Sequence, residues 1–154
     1  RVGETVATRV RDALARLAPV SAGPAAAAHE PWSFAANWTI GGRMAIYFPH
    51  AAAGSPVETV VSCAAVGDCA LLGLPGETVS EYRELLRGRS PFGVTLLVSL
   101  ANDFVGYLPT DAILGQGAYE ANICPLRPIE ATLLARADRV LAATREEQRA
   151  LTGA

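Results

Sequence analysis

Lysine is absent from this chain of 154 residues, and all 13 of its basic residues are arginines. A P-loop nucleotide site, which sets a lysine on the phosphates, is therefore excluded. Histidine occurs only at His29 and His50, too few for a His-rich metal cluster. Cysteine occurs at Cys63, Cys69 and Cys124 without a C-x-x-C pair, so buried free thiols are expected rather than a disulfide framework. Charge is sparse: 18% of residues are charged and the formal net charge is −2, which gives no electrostatic case for nucleic acid. Apolar runs such as Val94–Ala101 fall short of the roughly 20 residues that a membrane helix needs. The G-x-S-x-G elbow does not occur, and His29-Glu30-Pro31-Trp32-Ser33 fails the H-E-x-x-H zinc pattern.

What is present is apolar. Hydrophobic residues make up 51% of the chain, which rules out a disordered tail, and the length favours one domain. The chain begins at Arg1 without an initiator methionine or signal sequence, and is expected to be a piece of a longer protein. Its alanine tracts at Ala25–Ala28 and Ala51–Ala53 and its low charge predict a surface that continues into a partner or a homo-oligomer.

Val6, Val10, Ala13, Leu14 and Leu17 recur at helical spacing and predict a first helix over 3–18, ended by Pro19. Residues 19–30 read as a Pro/Ala-rich connector. The sheet and loop region is expected over 31–120. It opens with strands at 32–40 and 43–48 around Gly41-Gly42. Val57–Val66 and Cys69–Leu74 flank Gly67-Asp68 as a β-hairpin. In that register Cys69 pairs with Val66 and Cys63 with Leu72, so the two thiols face opposite sides of the sheet. Thr78 and Glu81 have capping-box form for a short helix to about Arg87. Val94–Ala101 reads as a strand covered on both faces. Pro128 opens a final helix over 128–150, with Ile129, Leu133, Ala137, Val140 and Leu141 as its buried stripe. The fold class is α+β, a central mixed sheet flanked by helices.

Chemistry falls on two loops at sheet ends. Glu77 follows a strand and precedes a helix, whose amide dipoles favour an ionised carboxylate able to ligate a cation; the plainer reading is an acidic residue in a strand-to-helix turn. The second loop runs from Asn102 to Thr110. Gly106 permits a close backbone approach, and Asp103 is a ligand or a turn former. Tyr107 is an unusual ligand, since its phenol needs a cation to favour the phenolate; otherwise it anchors the loop. Tyr119 and Glu120 carry the same two readings. If the two loops belong to parallel neighbours, they open at the same sheet edge.

Over about Glu58–Glu120 the sequence resembles the neutral/alkaline (non-lysosomal) ceramidase family. The matching blocks are Val66–Glu77, Ser90-Pro91-Phe92, Ala101–Thr110 with its Gly106-Tyr107-Leu108-Pro109-Thr110, and Gly117–Glu120. The resemblance implies the C-terminal portion of a larger zinc hydrolase domain that cleaves the amide of ceramide or a related lipid. It assigns Glu77 and Tyr107 to the metal and leaves Asp103, Gly106, Thr110, Tyr119 and Glu120 as candidate site-loop residues. One zinc ion is expected only when two histidines from an upstream segment, or from another chain completing the fold, are present. The family's histidine motif and catalytic serine region have no counterpart here, so His29 and His50 receive no role. Family members are commonly secreted, periplasmic or at the cell surface, which sets the expected location. Two non-catalytic alternatives stand beside this: a ceramidase-fold assembly module in an extracellular setting, and a lipid-binding module without turnover.

Overall fold

A computed structural model describes residues 1–19 and 23–153. The chain runs α1 (Val2–Leu14), β1 (Ala25–Ala35), β2 (Pro56–Val66), β3 (Cys69–Gly73), β4 (Glu77–Thr78), α2 (Glu81–Leu86), β5 (Val94–Val98), β6 (Tyr107–Leu108), α3 (Asp111–Gln116) and α4 (Glu130–Thr152). Strands β1-β2-β3-β5 form a mixed sheet in that order, antiparallel except for the parallel pair β3–β5, and β4–β6 form a second, two-stranded parallel sheet. The fold is α+β.

Alternation along the strands explains the packing. Val57, Val61, Cys63 and Ala65 of β2 point with Ala70 and Leu72 of β3 into the core beneath α4. That helix answers with Leu133, Ala137, Val140 and Leu141, four residues at helical spacing on one buried stripe. Charged groups fix the helix to the sheet at both ends. Glu30 of β1 accepts from Arg136 at 2.7 Å and from Arg139 at 2.6 Å, and Arg145 reaches Asp68 in the hairpin turn while lying 4.1 Å from the Phe92 ring centre. The hairpin register pairs Val66 with Cys69 and Cys63 with Leu72, so Cys63 is buried and Cys69 lies on the other face; all three cysteines are free.

Several expectations give way. Residues 25–30 are strand rather than connector: alanine has little strand preference of its own, but Ala25 to Ala28 pair with Val66 to Cys63 of β2, and pairing outweighs propensity. The strands expected at 32–40 and 43–48 are replaced by the end of β1 at Ala35 and a 3₁₀ turn over Gly42–Tyr47. β2 starts at Pro56, opposite Ala35, so no strand remains for the chain beyond that point. α2 begins after Ser80, because Thr78 is engaged in β4 and its N–H points to Ser99 Oγ at 3.3 Å. The dipole argument for Glu77 fails with it, since Glu77 stands four residues before a helix of six. β5 is not covered on both faces: it is the edge strand, and Val94, Leu96 and Val98 are exposed. The first helix spans 2–14 rather than 3–18, and every residue of it is exposed; the last spans 130–152 rather than 128–150.

Candidate functional site

β3 runs through Leu74-Pro75-Gly76, all buried, into β4, and β5 runs through residues 99–106 into β6. The two short strands are parallel, with Glu77 opposite Tyr107 and Thr78 opposite Leu108. Partners in register on neighbouring strands project to the same face, so the carboxylate and the phenol are lateral neighbours. The two loops therefore open together at the end of the main sheet.

Two glycines make this approach feasible. The Glu77 N–H donates to Gly106 O at 2.9 Å, and the Val105 N–H donates to Pro75 O at 2.9 Å. A Cβ on Gly76 would meet Gly106 O at 2.5 Å. Gly106 has φ +115°, and a Cβ there would meet Ile123 O at 2.3 Å, so only glycine fits on both counts. Beneath the loop, buried His50 donates from Nε2 to Val105 O at 2.9 Å and packs edge-on against Phe48. The Tyr107 ring rests on a small cluster of Ile40, Phe48 and Ile123, and meets the Tyr119 ring edge-to-face at 5.8 Å. Buried Tyr82 donates to Pro109 O at 3.0 Å, tying α2 to the strand that carries Tyr107.

Glu77 and Tyr107 line one open cleft of about 460 Å³, together with Ser80, Gln116 and Glu120. Partial burial raises the Tyr107 phenol above its ordinary pKa, and the neighbouring Glu77 carboxylate pushes the same way. In the protein by itself Tyr107 is thus a neutral donor facing an acceptor. A cation between them would reverse that preference, since a nearby positive charge favours the phenolate. The pair fits a metal as two adjacent oxygen donors. Among the described residues no group of three or more His, Cys, Asp or Glu is placed to hold a metal ion.

The other residues singled out in the sequence divide. Tyr119 and Glu120 join the cleft region, Glu120 as a lining residue. Gly106 contributes its carbonyl to the strand pairing. Thr110 is buried below, where its Oγ1 accepts from Ile113 N and caps α3. Asp103 is outside the lining of the cleft and its Oδ1 accepts from Phe104 N at 2.7 Å, the turn-forming role. His29 lies on the sheet face, beside Ser62 and Ala27, and His50 is a buried anchor. Tyr82 and Gln116 went unread in the sequence, and His50, expected there as a solvated loop imidazole, is instead buried because its ring is bonded to Val105 O and packed on Phe48. Only the single buried-type aromatic Tyr82 on a short helix carries a usable signal; a lone loop histidine and a surface glutamine carry none. The hollow beside the hairpin turn, about 500 Å³, is crossed by the Arg145–Asp68 contact and the Gln148 hydrogen bonds to Pro24 O and Gly67 O, which serve packing.

Comparison with protein-family models, with curated proteins and with solved structures finds no match to this chain.

Proposed function

We propose that this chain is the C-terminal portion of a ceramidase-like, zinc-dependent amidohydrolase that cleaves the N-acyl amide of ceramide or a related lipid, and that it acts only with a histidine-bearing portion. The observation that supports this reading is the parallel register of Glu77 with Tyr107 over a common cleft. Residues 30 positions apart and in different loops converge on the two roles that the family resemblance gives them. Glu77 would hold the metal through its carboxylate and Tyr107 through its phenolic oxygen. Zinc at such a site supplies Lewis acidity toward an amide carbonyl and makes water nucleophilic near neutral pH. The chain's own contribution is positional. Gly76 and Gly106 bring the two donors side by side, and His50 and Tyr82 fix the backbone on either side of Tyr107.

The test is amide hydrolysis and zinc content in protein reconstituted with the upstream portion. Glu77→Gln and Tyr107→Phe are each expected to lower zinc occupancy and to reduce turnover at least about a hundredfold, the upper end of what losing an outer-shell partner of a metal ligand costs. Unchanged turnover in both variants sinks the reading.

The assembly reading has one observation of its own: on the face of the main sheet opposite α4, Val66, Leu71, Val94, Leu96 and Val98 are exposed. Among the described residues no helix is long and apolar enough to cross a membrane.

A further inference from the structure

β5 is the last strand of the main sheet, and its outer edge carries no strand. The ladder to β3 shows which of its backbone groups are spent. Val94 N–H donates to Asp68 O at 3.1 Å and Leu74 N–H donates to Val98 O at 3.0 Å, so Val94, Leu96 and Val98 bond towards β3. By alternation Thr95 and Leu97 turn their N–H and C=O groups outward, where among the described residues no strand stands opposite them. β5 also holds no proline and no charge, two of the means by which exposed edges are kept from pairing.

The open edge lies beside the place where further metal donors are needed. β3 and β5 are parallel, and beyond their C-terminal ends the chain brings Glu77 and Tyr107 to one cleft. A catalytic zinc takes three protein ligands, and sites in parallel sheets collect outside the carboxyl ends of the strands. A further parallel strand on this edge would end there, one strand interval or roughly 5 Å from β5. A strand added at the opposite edge, beyond β1, would stand four intervals from β5, roughly 19 Å away.

The edge selects its occupant further. A groove of about 360 Å³ runs beside it, lined by Leu86, Phe92 and Leu97 together with Arg83 and Arg87. No acid lines that groove, and Glu84, paired with both arginines at 3.9 and 3.2 Å, leaves a net charge of +1. A second copy fits poorly. Two β5 edges paired about a two-fold axis run antiparallel and set the arginines of both copies on one face. Nor does either histidine of this chain follow an unpaired strand: His29 lies within β1 and His50 is buried under Val105. The same copy has no strand to offer either, since α1, which among the described residues joins neither core cluster, is a helix.

We propose that the histidine-bearing portion adds a strand to the β5 edge. It runs parallel to β5, bonds to the outward groups of Thr95 and Leu97, turns an acidic side chain to Arg83 and Arg87, and carries a histidine at or just past its C-terminal end. The inference rests on the hydrolase reading for the identity of the partner, while the open edge and its groove are independent of it.

Residue-resolved amide hydrogen exchange in the protein purified with its upstream portion tests the strand. Thr95 and Leu97 should be protected to within about tenfold of Leu96, because all three amides are then bonded. Exchange at Thr95 and Leu97 at least about a hundredfold faster than at Leu96 overturns the proposal, since the edge is then still open. A photoreactive benzoylphenylalanine in place of Val98, the exposed last residue of β5, identifies the occupant. It should cross-link to an extended segment of the upstream portion close to a histidine; a cross-link to a second copy, or to a segment with no histidine near it, overturns the proposal. Zinc content of the same samples separates the two readings. Zinc bound while Thr95 and Leu97 exchange fast removes the strand and leaves the hydrolase reading, whereas protection and the expected cross-link without zinc do the reverse.

Discussion

Tyr107 has its phenol held above its ordinary pKa by partial burial and by the carboxylate it faces, so in the metal-free chain it stays protonated past the pH at which a free tyrosine ionises. Replacing Glu77 by Gln removes a charge that opposes the phenolate. The ultraviolet titration of Tyr107, assigned by difference against Tyr107→Phe, should then shift to lower pH; an unmoved titration would show that the two side chains do not communicate. Cys124 gives a second titration. Burial pushes its thiol up to about 11. A group whose folded pKa is raised binds its proton more tightly in the folded state. Its stabilisation is therefore complete below the unfolded thiol's pKa, near 9, and is lost as pH rises to about 11. Unfolding free energy measured by urea should fall across that window, and Cys124→Ala should flatten the fall. Buried Tyr82, also raised, adds loss at still higher pH, so the variant should flatten only part of the curve.

The pair β4–β6 is two residues long on each side, and its existence depends on what lies next to it rather than on its own pairing. Gly106→Ala puts a Cβ into Ile123 O and forces a side chain into a positive-φ backbone, so it should destabilise the chain by at least about 2 kcal/mol in a denaturant titration. A cost within the error of wild type would mean that the close approach is not required. The same elements show what could be read in advance. Gly67-Asp68 between two alternating runs fixes a hairpin and its register because the turn type leaves one pairing. The stripe of α4 is legible because four positions repeat at 3.6 residues. The candidate site was legible in Glu77 and Tyr107, and in Gly106 as a point of close approach. β1 was not legible, since nothing in a run of alanines states a period and only β2 makes it a strand. Nor was the exposure of β5: an apolar run looks the same on an edge as in the middle, and the missing neighbour is not written in the run itself. His50 escaped for a similar reason, because its partner is a backbone carbonyl 55 residues away.

Taken whole, the molecule has one closed side and one open side. α4, fastened by Glu30 and Asp68 through three arginines, seals the first, and the second presents exposed valines and leucines of the sheet and an uncovered edge strand. The cleft with Glu77 and Tyr107 lies off the end of that sheet, where Gly76 and Gly106 let the two short strands approach closely. The most direct measurement is zinc per chain by elemental analysis. The protein should be purified with its upstream portion and without chelator, and compared with the Glu77→Gln, Tyr107→Phe double variant prepared identically. The account predicts about one zinc per chain in the first and a loss of most of it in the second. Equal zinc in both, or none in either while the upstream portion is present and folded, would contradict the assignment of Glu77 and Tyr107 to a metal.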